Sequence, residues 1–101
     1  PYEVRGLDGG AEYLPEAGRL NVRAKLVTAD GSVPGRHVIH MEVTDSRGLQ
    51  RREYAQNCLA ARGEMTRSLP LGYDPTPGLW QVELKDVASG ARAQMSVSVG
   101  G

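Results

Sequence analysis

The 101-residue chain has a single cysteine, Cys58, so no disulfide can form within it. Packing alone must hold the fold together. It has no excess of charge of either sign: 12 Lys and Arg balance 12 Asp and Glu. That balance argues against nucleic acid as a partner, because phosphate binding requires a concentrated positive patch. The nearest approach to one is Arg47, Arg51 and Arg52. Arg51 and Arg52 are adjacent and would point to opposite faces of a strand, so the group reads as a solvated surface. No apolar run approaches the roughly 18 residues of a membrane span, so direct membrane insertion is not expected. No leader segment is read in the sequence given, nor an internal repeat or low-complexity tract. The stretches Pro1-Tyr2-Glu3-Val4 and Val97-Ser98-Val99-Gly100-Gly101 read as cuts through a longer polypeptide, which leaves the cellular destination open. Sustained helical periodicity with caps is also missing; a short helical turn fits only at Leu59 to Met65, weakened by Gly63.

Alternation is what the sequence has in abundance. Leu20, Val22, Ala24 and Leu26 interleave with Asn21, Arg23 and Lys25. Ile39, Met41 and Val43 stand opposite His40, Glu42 and Thr44. Trp80, Val82 and Leu84 do the same with Gln81, Glu83 and Lys85, and Ala91 to Val99 repeats the pattern with Met95 and Val97 inward. A period of two in four stretches predicts four half-buried strands. Weaker strands are expected at Tyr2 to Leu7, Leu49 to Tyr54 and Glu64 to Leu71. Turn signals at Asp30-Gly31, Asp45 to Gly48, Pro77-Gly78 and Ser89-Gly90 separate them. Pro70 to Gly78 is the one long loop; its prolines cannot donate ladder hydrogen bonds, so it is expected to cross between sheets. About seven short antiparallel strands in one chain of this length must form two sheets, since one sheet would leave an apolar face in water. The expected fold class is all-β: an immunoglobulin-like two-sheet antiparallel sandwich filling residues 1–101 as one domain.

The chemistry-bearing residues read mostly as scaffold. Glu42 and Glu83 lie on outward faces and lack the facing cleft that paired acids need. His37 and His40 are three apart and fall on opposite faces of a strand, so they cannot share an ion. Asp8-Gly9-Gly10 and Asp30-Gly31 are isolated turn carboxylates, short of a calcium loop. Cys58 has no local signature of a nucleophile and reads as a small apolar filler. No catalytic residue, metal site or cofactor is expected. Trp80, in phase with Val82 and Leu84, is the expected core anchor. Val38, His40, Tyr54 and Tyr73 are the candidate interaction surface, and the two tyrosines are the better candidates for an exposed sugar-stacking platform.

Three segments carry a resemblance. Gly78-Leu79-Trp80-Gln81-Val82 stands where immunoglobulin-like domains place Gly-x-Tyr-x-Cys at the entry to the penultimate strand, with Trp80 for the Tyr and Val82 for the Cys. Glu42-Val43-Thr44-Asp45-Ser46-Arg47-Gly48 resembles a V-x-D-P-x-G hairpin, with Ser46 in place of the proline. Gly31-Ser32-Val33-Pro34-Gly35 precedes the strand His37 to Val43, and Pro77 to Leu84 resembles G-x-W-x-V-x-V. Over residues 17–99 the chain thus resembles bacterial Ig-like and macroglobulin-type domains. It is most similar to those appended to large glycosidase-like proteins related to β-galactosidases. The resemblance implies a non-catalytic accessory module in an extracytoplasmic (periplasmic or secreted) setting, with neighbouring domains of a parent chain as partners. Two alternatives stay open: a carbohydrate-binding module, and a macroglobulin-type domain of a protease-trapping or adhesin-like surface protein.

Overall fold

A computed structural model describes residues 2–100; Pro1 and Gly101 lie outside the described residues. Seven strands run β1 Val4–Leu14, β2 Arg19–Thr28, β3 His37–Thr44, β4 Gln56–Ala60, β5 Glu64–Pro70, β6 Gly78–Asp86 and β7 Arg92–Val99. A single 3-10 turn, Arg52–Tyr54, lies between β3 and β4. The strands form an antiparallel sheet of order β1-β2-β5 and a second of order β4-β3-β6-β7. The protein is an all-β sandwich of two antiparallel sheets, one of three strands and one of four.

The strictest alternation builds the centre of each sheet. β2 buries Leu20, Val22, Ala24, Leu26 and Thr28 and exposes every residue between them. β3 buries His37, Ile39, Met41 and Val43, and β6 buries Trp80, Val82, Leu84 and Asp86. Both faces of the core therefore come from strands flanked on both sides, where the ladder fixes register and a one-residue slip would turn the apolar set to water. Met95, expected inward, is only partly buried, while Val97 and Val99 below it are fully inside. β1 packs against β7 on this side without pairing to it. A Cβ on Gly9 would lie 2.5 Å from the Met95 sulfur, so glycine there lets β1 close the side of the sandwich over β7.

Four expectations are corrected. The first strand is not confined to Tyr2 to Leu7 but runs 11 residues and pairs along nearly all of β2. Asp8 and Gly9 are consequently mid-strand, opposite Lys25 and Ala24, and not in a turn. Leu49 to Tyr54 is not a strand: only Gln50 makes a bridge, to Thr44, before the chain coils into the 3-10 turn. The strand lies after it, and Leu59 and Ala60, the start of the expected helical turn at Leu59 to Met65, belong to β4 beside β3. The apolar run Cys58-Leu59-Ala60 carries no period of its own, so only pairing with β3 decides its conformation. The reversal after it is tight. Arg62 has φ 132° and Gly63 φ 75°, and a Cβ on Gly63 would lie 2.5 Å from the Pro34 ring. Glycine is needed there both for its backbone angle and for the space.

The long loop from Leu71 to Pro77 does cross from one sheet to the other, joining β5 to β6. Trp80 follows it immediately. Its ring is fully buried and its Nε1–H donates to the Thr76 carbonyl at 2.8 Å, which satisfies the only polar atom of the side chain. Trp80→Ala should lower unfolding free energy by about 3–5 kcal/mol in chemical denaturation. The native protein should emit blue-shifted fluorescence that reddens on unfolding; emission in the native state like that of free tryptophan would contradict the burial.

Candidate interaction surfaces

Strand direction divides the loops between two poles. Tyr2, the loop 29–36, the turn 61–63 and the turn 87–91 gather at the pole where β1 begins. Residues 15–18, 45–55, 71–77 and Gly100 gather at the pole where β7 ends. The molecule measures 46 × 24 × 18 Å. Eleven extended residues span roughly 36 Å, so only the 46 Å dimension can run along the strands.

The first pole holds a buried polar chain. His37 begins β3 and Asp86 ends β6, both on the inward side of their strands. His37 Nδ1 lies 2.9 Å from Asp86 Oδ1, and Nε2 lies 2.6 Å from the Tyr2 hydroxyl. Gly35 N–H donates to the same hydroxyl at 3.0 Å. With Nδ1–H donating to the carboxylate, Nε2 accepts the phenolic proton and every member of the chain is satisfied. Ser89 donates to the other carboxylate oxygen through Oγ at 2.5 Å and through its backbone N–H at 3.1 Å. Burial pushes the Asp86 carboxyl up, but the hydrogen bonds from Ser89 and His37 outweigh it and hold the group below the ordinary carboxylate range. Serine, histidine and aspartate meet here, yet the wiring is not that of an acyl-transfer triad. Ser89 donates to the aspartate, and the imidazole nitrogen that would activate a serine is engaged by Tyr2.

At the opposite pole Asp45, also inward on the β3 phase, has a side chain removed from solvent. Oδ1 accepts the backbone N–H groups of Arg47 at 2.9 Å and Leu49 at 3.1 Å. Oδ2 takes no hydrogen bond but lies 3.5 Å from Arg47 Nη2 and 3.7 Å from Arg51 Nη1. Burial raises the carboxyl, and the two backbone donors with the Arg47 charge bring it below its usual value. Arg51 is not the solvated residue expected. Its guanidinium sits 5.2 Å from the Trp80 ring and 5.5 Å from the Tyr54 ring, and it holds Glu53 Oε2 through Nε at 2.9 Å and Nη2 at 2.7 Å. Arg47 keeps the exposed side chain that the sequence predicts.

The candidate surface residues separate. Tyr54 is corrected: it is buried at 8% exposure, because the 3-10 turn swings its ring inward beneath Arg51 while its hydroxyl donates to the Pro70 carbonyl at 2.8 Å. Tyr73 stands fully in solvent. Val38 is exposed on the outer face of β3, paired across the ladder with the exposed Leu59 of β4, and the exposed Val87 donates its N–H to the Val38 carbonyl. His40, two residues along that face, has Nδ1 2.8 Å from Asn57 Oδ1 and Nε2 3.1 Å from Glu42 Oε2. These hydrogen bonds, Asn57's first and Glu42's second, raise its pKa above the ordinary imidazole value. Glu42 and Glu83 are direct cross-strand partners on an open face, the first against His40 and the second 3.7 Å from Arg92. Among the described residues, no group of three or more His, Cys, Asp or Glu is placed to hold a metal ion. Cys58 is buried beside β3, and burial pushes its thiol up. No protein-family model matches the chain, and no curated protein matches it.

Sequence reasoning assigned no role to Asp86 and none to His37 beyond excluding it as a metal ligand with His40. The signal was present: both continue the inward phase of their strands, as Asp45 does, and a polar residue in that phase must find a buried partner.

Two outcomes follow. Asp86→Asn should cost about 2 kcal/mol or more, since it leaves His37 and Ser89 facing a group that no longer carries charge. Because the Asp86 pKa is depressed in the folded state, its contribution is present above the unfolded carboxylate value, about 3.9. It is lost as pH falls through the folded value, so the gap between wild type and Asp86→Asn in urea denaturation should close in acid. The His40 ring, followed by NMR, should titrate above the roughly 6.5 of a free imidazole, and Asn57→Ala should move the midpoint down. The sign is opposite to that of Asp86: the charged imidazole's contribution is present below the unfolded value and is lost as pH rises through the folded one. An Asn57→Ala midpoint equal to the wild type's would refute the assignment.

Proposed function

We propose that this domain is a non-catalytic structural and interaction module that spaces or braces a catalytic domain within a larger bacterial, carbohydrate-active protein of an extracytoplasmic compartment. The observation that carries the bracing role is geometric. β1 starts at one pole and β7 finishes at the other, along the 46 Å axis, so the domain separates whatever is attached to its two ends by its full length. Both buried polar clusters support the reading, because their hydrogen bonds are directed at pole loops: Tyr2 and the 87–91 turn at one end, the 45–51 loop at the other. A spacer transmits position only if its ends are stiff. The carbohydrate-active, bacterial setting rests on the resemblance carried by Pro77 to Leu84 and Glu42 to Gly48. Fold alone does not choose among functions.

The test replaces this segment of the parent protein with a flexible Gly/Ser chain of equal residue number. Loss of thermal stability or a broadened inter-domain distance distribution in solution scattering, with the catalytic residues intact, is the expected result. An unchanged distribution and unchanged stability would remove the bracing role. Turnover of aryl glycosides by the isolated domain would remove the non-catalytic one.

A further inference from the structure

The loop joining the two sheets is held at four points and presents a side chain that packs on nothing. At its start the Pro70 carbonyl accepts the Tyr54 hydroxyl at 2.8 Å, and Leu71 N–H donates to the Gly18 carbonyl at 2.8 Å. At its end Trp80 Nε1–H donates to the Thr76 carbonyl at 2.8 Å, and the Ser46 hydroxyl donates to the Pro77 carbonyl at 2.6 Å. Between these pins only Gly72, Tyr73, Asp74 and Pro75 arch outward. Gly72 supplies the left-handed turn with φ 87°, and Pro75 and Pro77 lock their own φ angles. On this rigid arc Tyr73 is fully exposed. An aromatic ring in water contributes nothing to the core, and on a backbone already held in place a ligand that covers it has only the side chain's own rotamer freedom to overcome.

Tyr73 also lines a groove of about 490 Å³ with Tyr13, Pro15, Asp74, Pro75 and Pro77. That volume lies in the range of small-molecule sites. Its chemistry is specific: flat apolar faces from two tyrosines and three prolines, one carboxylate, and no cation. With Asp74 as the only charge, an anionic ligand is repelled. A cationic ligand is best held where aromatic faces converge on it, but among the described residues the only aromatic pair in contact is Tyr2 with His37, at the other pole. A free-standing platform beside a single acceptor suits a ligand with an apolar C–H face and hydroxyl donors at its rim.

We infer that the groove between Tyr73 and Tyr13 is a binding subsite for a neutral saccharide, with one pyranose ring stacked on Tyr73 and its hydroxyls donating to the Asp74 carboxylate. This goes beyond the bracing role and does not depend on it. The site lies at the pole where β7 ends, on a loop that Trp80 and Tyr54 hold from beneath. Those two residues position the platform and do not touch the sugar.

The test is a ¹H–¹⁵N NMR titration of the 101-residue chain with four neutral hexasaccharides, built respectively of glucose, galactose, mannose and xylose. At least one should produce saturable shifts confined to Tyr13, residues 72–77 and Gly100. Tyr73→Ala should weaken that binding about tenfold or more, the scale of losing one anchoring aromatic, with an unchanged thermal midpoint because the ring packs on nothing. Tyr73→Trp should retain binding within a few fold. The inference is overturned if none of the four shifts these residues at millimolar concentration, or if binding survives Tyr73→Ala. It is equally overturned if tetramethylammonium or a lysine-rich peptide shifts the same residues and the sugars do not. None of these outcomes alters the spacing measurement on the parent protein.

Discussion

Trp80 is the side chain through which the two sheets, the crossing loop and the 3-10 turn are held to one another. Its indole lies inside the core between the sheets, its N–H fixes the Thr76 carbonyl, and its face receives the Arg51 guanidinium. Arg51 is in turn held near the buried Asp45 and paired with Glu53. A large ring thereby converts apolar burial, which has no direction, into a directional constraint on the crossing loop and the loop that carries Arg51. Tyr54 extends the same arrangement. Its ring lies under Arg51 and its hydroxyl fixes Pro70, the residue at which the chain leaves the first sheet.

The two poles solve one problem with different chemistry. A sandwich ends where its strands end, and the polar backbone of the connecting loops must be satisfied there without the ladder. At one pole Asp45 accepts two loop N–H groups directly. At the other Asp86 accepts Ser89 from its own turn and His37 from the neighbouring strand, and His37 carries the chain of hydrogen bonds on to Tyr2. Each carboxylate is an inward-phase residue one step past the last apolar one, so it is buried deeply enough to be costly if unpaired and near enough to the loop to be paired. These clusters stiffen the ends, and stiff ends are what the proposed spacing role requires.

The open edges are managed by the same economy of position. Arg67 occupies the inward phase of β5 between Met65 and Leu69, yet its Nε reaches Gln56 of β4 at 3.3 Å. An inward-pointing charge at an edge strand discourages pairing with another chain. At the opposite side, Gly9 and Met95 let β1 lie against β7.

The alternating stretches Leu20 to Leu26, Ile39 to Val43 and Trp80 to Leu84 were sufficient to determine strands, faces and fold class, because period-two burial is a local property of the backbone. Trp80 as core anchor and the sheet-crossing role of the proline-rich loop were legible for the same reason. Local pattern could not place what depends on partners. Cys58-Leu59-Ala60 has no period, and pairing with β3 made it a strand. Leu49 to Tyr54 looked extended until Arg51 found Trp80 and Asp45, which coiled the next turn and buried Tyr54. His37 and Asp86 are 49 residues apart, and only the register of β3 against β6 brings the imidazole to the carboxylate. Tyr73 and Tyr13 likewise share a groove because the end of β1 and the β5–β6 loop lie at one pole. The sequence on its own determined which residues of the central alternating strands face inward. The tertiary structure alone decided which of the inward polar residues meet, because a buried polar group is satisfied by whatever the fold sets beside it.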